Sequence, residues 1–584
     1  MKNTVFTPLC AFIFLATLPY PAISENPTPQ KWQGYIEFEG KISADRDLGE
    51  AGIFVPLYQN DNSMIFTDIR ARIDNNSSSE GNFGLGFRKL TQNDIIFGGY
   101  AFYDRRRTSN ANVFHQATLG AEVLTENIEG RINVYIPEGG SQDTGAATTR
   151  TNLSGGNIQF QNLGAPQERA LPGFDAEFGY GWNLDANWDV WAYGGGYYFD
   201  ASGYDEVAGP RGRIELTRHN LPFLGQNSKF TLGAEAQTDD VRGDQIFGLA
   251  RLRIPFNSFN NTAPPSSNLS DLEKRMVSRI YRDVDIVAGQ KDAEVVSSEA
   301  ATVTLSSGVD VTSYTIIDAA GELDDDVAAA GANALIVVDG SKGDIVSPDT
   351  AYFSTGQTLI GGGSVLSATG VNSGTTLAIA LPGVRPTIIG SGPNTLVGST
   401  TNDITIQNLS ITGSVNAIVF SGTSSNAIIK NVSLNNTNSG IQFIQNSSGN
   451  IENVQINAAS GAFGGIAATD NAVVSANNIE VTDSNIGVYV NSANLTLNNS
   501  VITGSTNSAI YTDDFFGGTP SLAVNNTIIN NTTGDGIQAE NSALSGSGNE
   551  ITGFVGGTVC NDAGGNAGSI AFNDILGGGP GTCP

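Results

Sequence analysis

The sequence predicts an all-β protein in two parts: a twelve-stranded antiparallel outer-membrane β-barrel followed by a right-handed parallel β-helix. Two periodicities and a break in composition carry that expectation. Between residues 32 and 256, segments of about ten residues alternate apolar with small or polar side chains, the period-two pattern of strands with two different faces. Beyond residue 260 the chain turns rich in Gly, Asn, Ser, Thr and Ala, and short apolar motifs recur every 21 to 27 residues. A chain of 584 residues is also too long for one core, so separate domains are expected.

At the amino terminus, Lys2, an apolar run from Val5 to Leu18 and the small residues Ala22 and Ser24 make a secretory signal layout, with residues 1–24 removed after Ser24. The alternative, a membrane anchor, needs about 20 apolar residues, and this run is shorter. Cys10 lies inside the signal, leaving Cys560 and Cys583 in the exported chain. Two cysteines near one end of an exported protein suggest a disulfide, the alternative being two free thiols.

The barrel is expected over 25–256, with strands near 32–41, 50–58, 64–73, 82–89, 95–104, 113–124, 128–137, 172–182, 188–200, 211–218, 229–237 and 245–255. In the seventh, Ile128, Gly130, Ile132, Val134 and Ile136 share one face and Glu129, Arg131, Asn133 and Tyr135 the other. One face suits lipid and the other water. Twelve is an even number, as bacterial barrels have, and closure removes the exposed edges that an open sheet would leave. Longer polar connections at 74–81, 105–112, 138–171 and 201–210 alternate with tight turns at 59–63, 90–94, 125–127 and 183–187, an asymmetry of outer-membrane barrels. Trp32, Tyr58, Tyr103, Trp182, Trp188 and Phe199 sit near strand ends, where interfacial girdles are expected.

The stretches FVPLYQNDNSMIFTDIRAR (54–72), GNFGLGFRKL (81–90), FGGYAFYDRRR (97–107) and TLGAEV (118–123) resemble the β-domain of inverse autotransporters, the intimin and invasin family. LEKRMVSRIYRDVDIV (272–287) resembles the linker that follows that domain. The resemblance spans about 32 to 287. It implies a twelve-stranded barrel, a linker (257–290) through the lumen and a carboxy-terminal passenger. Family members often carry a peptidoglycan-binding module before the barrel; with about eight residues between Ser24 and Trp32, none is expected here.

In the second half, 291–349 is expected to be a lead-in or capping segment, 350–557 the β-helix and 558–584 a disulfide-closed cap. The motifs QNLSI, KNVSL, ENVQI, NNIEV, NNSVI and NNTII share an asparagine in second position: Asn408, Asn431, Asn453, Asn478, Asn499 and Asn526. Their spacing is one coil of a β-helix. Each coil has a second apolar anchor in Ile418, Ile441, Ile466, Val488, Ile510 and Ile537. Stacked coils would bury the anchors continuously and let each asparagine amide bond its counterpart about 4.8 Å away, a structural ladder and not a ligand site.

The net charge of −29 argues against a nucleic-acid partner, since neutralising phosphates takes clustered Lys and Arg. The β-helix resembles the pectate-lyase-like superfamily, whose sugar-cleaving members need a basic residue as base or electrostatic clamp, or paired acids with supporting His, Arg and Lys. After residue 290 the basic residues are Lys291, Lys342, Arg385 and Lys430, and the histidines, His115 and His219, belong to the barrel. No catalytic, cofactor or metal residues are expected, and the protein is not expected to be an enzyme. Asp513 and Asp514 beside Phe515 and Phe516, in the loop continuing to Pro520, are the candidate binding loop; exposed rings there could stack on sugars or fill a pocket, or instead cover the core. The expected role is a surface adhesin in the outer membrane. Expected partners are outer-membrane lipid, the barrel assembly machinery, periplasmic chaperones and an unknown surface receptor or glycan. The alternatives are a displayed polysaccharide lyase or hydrolase, and a porin-like barrel with a periplasmic tail.

Overall fold

The computed structural model describes residues 31–259, 269–283, 285–318, 323–553 and 556–584. The expected signal peptide, with Lys2, Cys10, Ala22 and Ser24, lies outside the described residues, as does 260–268 of the linker. The chain forms two compact units, Met1–Ala147 with Gly164–Glu294, and Thr148–Leu163 with Val295–Pro584.

The first unit is a closed antiparallel barrel of twelve strands: Tyr35–Ile42, Leu48–Gln59, Ser63–Asp74, Ser79–Leu90, Ile96–Arg107, Val113–Leu124, Ile128–Pro137, Gly173–Asn183, Trp188–Phe199, Val207–His219, Lys229–Asp239 and Gly243–Pro255. Closure comes from the first strand pairing with the last, Tyr35 opposite Pro255. Pleating sorts the side chains as expected. Ile128, Ile132, Val134 and Ile136 are exposed on the outer wall, while Glu129, Arg131, Asn133 and Tyr135 are buried within.

Two expectations need correction. The stretches 74–81 and 105–112 are not long loops, because pairing runs on through Ser79–Gly81 and Arg105–Arg107 and leaves connections of only 75–78 and 108–112. Strand ends that clear the apolar band carry polar residues on both faces, so their composition imitates a loop. The asymmetry therefore rests mainly on 138–172. Secondly, Tyr58, Tyr103 and Trp182 do face outward, but Trp32 and Phe199 are buried. The Trp32 Nε1–H donates to Glu273 O (2.8 Å), and Phe199 packs on Tyr135 and Tyr197.

The linker holds a short helix, Asp271–Lys274, followed by a 3-10 turn at Arg275–Val277. Ser270 closes a capping box: its Oγ accepts from the Glu273 N–H (3.1 Å), and the Glu273 carboxylate accepts from the Ser270 N–H (2.8 Å), satisfying two helix-end donors. Further on, Ala288–Lys291 is a strand paired with Gln167–Ala170 of the 138–172 connection. The linker thus leaves the barrel at the end with the longest connection.

The second unit is a parallel β-solenoid of about eleven turns. Parallel pairing starts with Thr315–Ile317 against Leu335–Val338, inside the segment expected to be a lead-in. The helix Leu323–Ala330 closes that end, its Leu323 and Val327 fully buried in the solenoid core. At the other end, 558–584 is less a separate cap than a last coil: Cys560–Gly564 continues the parallel ladder, and only Gly581–Cys583 folds back antiparallel on Ile570–Ile575. Cys560 and Cys583 form a disulfide, Cα atoms 5.3 Å apart.

The apolar anchors stack in register, Ile418 on Ile441, Ile466, Val488, Ile510 and Ile537, all within the core. The asparagine column does more than stack. All six asparagines have left-handed backbone, φ between 51° and 57°, and parallel pairing skips them: Gln407 pairs Lys430 and Leu409 pairs Val432, with Asn408 and Asn431 between. Asn408, Asn431, Asn453 and Asn478 mark bends inside strands, and Asn499 and Asn526 bends between two strands, in a conformation that Asn tolerates better than most L-residues. Amide contacts between counterparts occur at Asn478 to Asn453 (2.6 Å) and Asn526 to Asn499 (3.3 Å), while Asn499 donates to Asn477 (2.7 Å) and Asn408 to Ser364 (2.7 Å).

The hairpin Thr148–Ser154 and Asn157–Leu163, encoded between two barrel strands, belongs to this second unit. It joins an antiparallel sheet through Val295–Thr304, and Ile158 and Phe160 are buried with Val303, Leu335 and Val337.

Candidate functional site

Two places bring functional side chains together, one in each unit. Inside the barrel, the inward faces of the strands meet the linker. Arg279 reaches Glu37 (2.5 Å) and Glu50 (2.6 Å), and Arg282 reaches Asp104 (3.0 Å). Asp285 receives Arg46 (2.5 Å) and Arg72 (3.1 Å), and Arg275 pairs with Glu129. The Tyr281 hydroxyl lies between Arg251 (2.7 Å) and Glu215 (2.9 Å). Wall groups also grip the linker backbone, Arg88 donating to the carbonyls of Met276 (2.8 Å) and Ser278 (2.7 Å). Near the tight-turn end an apolar cluster joins them, Leu272, Met276 and Ile280 packing among Trp32, Phe54, Phe66 and Tyr100.

Charges of both signs line this lumen, and Arg275, Arg279, Arg282 and Asp285 of the linker each meet an opposite charge on the wall. Burial makes that matching matter, since an unpaired buried charge is costly. Beside Tyr281 a cavity of about 230 Å³ remains, bordered by Trp188, Trp191 and Tyr193.

On the solenoid, Asp513 ends the strand Ser508–Asp513. Its carboxylate accepts from the Tyr489 hydroxyl (3.2 Å to each oxygen) and from the Asn491 amide. Asn491 also donates to the Tyr489 oxygen (2.8 Å) and accepts from the Phe516 N–H (3.2 Å). Asp514 accepts from Asn541 (3.1 Å) and, through its carbonyl, from the Gly517 N–H (2.7 Å). The loop is therefore tied to the coils on both sides. Phe515 and Phe516, with 82% and 55% of their surface exposed, do not cover the core. Their rings meet edge to face, centroids 5.4 Å apart.

Sequence reasoning missed the residues beside this loop. Tyr489 and Tyr511 occupy one register position on successive coils and stack at 5.4 Å, and Phe463 tilts against Tyr489 at 6.1 Å. A signal existed: each tyrosine directly follows an apolar anchor, Val488 or Ile510, and so faces outward. Partial burial, reinforced by Asp513, pushes both phenols up to about 12. They stay protonated at neutral pH and act as donors. The cations of this unit lie elsewhere, with Lys430 on Glu452 (3.1 Å), Lys342 on Asp318 (2.5 Å), Arg385 on Leu409 O (3.0 Å) and Arg150 on Gln161 (3.0 Å).

A closed barrel with apolar outer wall, charged interior and occupied lumen defines the class: a transmembrane β-barrel protein of the bacterial outer membrane. Residues 30–182 match the family model described as inverse autotransporter, beta-domain. No curated protein matches the chain. Among solved structures, a membrane protein from work on in-meso crystallization is similar at 15% identity over 44% of this chain and 100% of its own, TM-score 0.33. The beta domain of the Bordetella autotransporter BrkA is similar at 10% identity over 38% and 98%, TM-score 0.22. The transport unit of the autotransporter AIDA-I from Escherichia coli is similar at 10% over 40% and 93%, TM-score 0.20. At such scores these likenesses carry no argument.

Proposed function

We propose that this outer-membrane autotransporter exports and anchors its own carboxy-terminal solenoid on the cell surface, where the solenoid serves adhesion or surface recognition. The observation that carries the reading is the linker held in the barrel lumen by Arg275, Arg279, Arg282 and Asp285 and leaving beside the longest connection. Such a linker gives a passenger a route through the membrane and then closes it. Insertion would use the barrel assembly machinery, with periplasmic chaperones delivering the chain. Outside, each added coil buries apolar anchors, which favours outward movement without a nucleotide.

The recognition face in this reading is the aromatic strip Phe463, Tyr489 and Tyr511 with the loop from Asp513 to Phe516. Flat rings bounded by hydrogen-bonding groups suit a receptor surface or a glycan. Binding without catalysis is the role proposed for this cluster.

The test is protease shaving of intact cells with an epitope tag after Pro584. Loss of the tag while a heat-modifiable barrel fragment persists is the expected result. A tag protected until the outer membrane is broken would overturn surface display and favour a periplasmic tail.

A further inference from the structure

The outer wall of the barrel carries a cationic pair that, among the described residues, the linker does not use. Three arginines close the strand Ile96–Arg107, and pleating divides them. Arg106 turns inward to the carbonyl of Ile286. Arg105 and Arg107 turn outward and are exposed, and among the described residues neither has an ion pair or a side-chain hydrogen bond. In register, Gly81 and Ser79 flank Arg105 and Arg107 on one side, and His115 and Val113 on the other.

The surface around them is shaped. A Cβ added at Gly81 would meet nothing within 4 Å, and Ala71 lies beside Gly81 on the next strand, so the floor next to Arg105 is flat and open. Toward the middle of the barrel the floor ends at Tyr103 and Phe83, paired in register and both exposed. The Tyr103 hydroxyl lies 2.6 Å from His115 Nδ1 with the two rings stacked, which fixes the imidazole at the edge of the floor. The next outward carboxylate in register is Glu138, beyond His115, and it pairs with neither arginine.

Aromatic rings mark where an apolar band gives way to headgroups, and the arginines stand just beyond them at the end with the longest connection. A guanidinium is a planar fork that matches phosphate oxygens two at a time. We propose that Arg105 and Arg107, with Ser79 and His115, bind the phosphate of an outer-leaflet glycolipid headgroup, whose acyl chain lies over Tyr103 and Phe83. The overall charge of −29 disfavours diffuse attraction of anions, so binding would be local to this pair. The proposal rests on the barrel lying in the outer membrane with its long connection outside. Cell fractionation tests that placement, and binding in micelles tests the site alone.

The experiment uses the purified full chain in zwitterionic detergent, titrated with phosphorylated lipid A, with dephosphorylated lipid A and with inorganic phosphate. The Arg105→Gln/Arg107→Gln double variant is compared with Lys89→Gln, which removes an outward cation at the opposite end of its strand. Unchanged heat-modifiable migration certifies that each variant is folded. Wild type and Lys89→Gln should retain phosphorylated lipid A about tenfold or more tightly than the double variant, the effect of losing a charge-assisted contact. Dephosphorylated lipid should not distinguish the three proteins. Equal retention of phosphorylated lipid by wild type and double variant would overturn the site. Arginine-dependent binding of inorganic phosphate as tight as that of the lipid would overturn the glycolipid as its occupant.

Discussion

An asparagine at the bend of six successive coils meets two demands at once. The strand must change direction there, which puts the residue at φ near +55°, and a side chain with a β-carbon pays about 1–2 kcal/mol for that conformation unless it is Gly or, to a smaller degree, Asn or Asp. Replacing Asn478 by Ala should therefore destabilise the solenoid by about 1–2 kcal/mol, whereas Asn478→Gly, which loses only the amide contact to Asn453, should cost less. Thermal unfolding of the two variants followed by circular dichroism checks the order; equal losses would assign the column to amide stacking alone. The column itself was legible because it repeats at the coil length. Its backbone role was not, since neither spacing nor residue type separates an amide ladder from a left-handed bend.

Tyr489 makes a second residue-scale prediction. Its phenol, held up to about 12 by burial and by Asp513, keeps its proton in the folded state past the ordinary value of about 10. A folded value above the unfolded one stabilises the protein fully below pH about 10, and that stability is lost as pH rises to about 12. The solenoid's melting temperature should fall across that window, and Tyr489→Phe should fall less. Identical profiles would detach the phenol from the fold's stability.

At the scale of elements, the linker's Arg275, Arg279, Arg282 and Asp285 are matched by charges on the wall. Arg282 and Asp104 are both buried, and removing one partner of a buried pair costs about 3–5 kcal/mol because the other stays behind uncompensated. Arg282→Met should loosen the linker and raise the ion conductance of the barrel in planar bilayers above wild type. Unchanged conductance would place the seal in the apolar cluster around Met276 and Ile280. Strand identity and number were legible in the alternation of faces, as at 128–137. Strand length was not, because beyond the lipid band a residue such as Arg105 or Ser79 has no apolar neighbour to set its phase. Trp32 and Phe199 were misplaced for a related reason: position near a strand end is visible in a sequence, but which way the side chain turns depends on what fills the lumen.

At the scale of the whole molecule, the boundary between the units follows contacts and not chain order. The sequence placed the break in composition near 260 and thereby separated barrel from solenoid, but nothing in 148–163 sets it apart from an ordinary polar connection. Only pairing with Val295–Thr304 reveals where it belongs. Deleting 148–163 should expose the edge of that strand and the pocket left by Ile158 and Phe160, and limited proteolysis should then cut first around 295–304. Cleavage kinetics like those of wild type would show the hairpin to be dispensable.

That shared hairpin also bears on how such a protein diversifies. A gene fusion that joins a foreign passenger at the linker, or moves 295–584 to another barrel, cuts the second unit in two and leaves sixteen of its residues with the donor. Recombination between relatives is therefore expected to respect two crossover points, one on each side of Thr148–Leu163, besides the one at the linker. The same constraint tells an engineer displaying new cargo on this barrel to replace the hairpin together with the cargo.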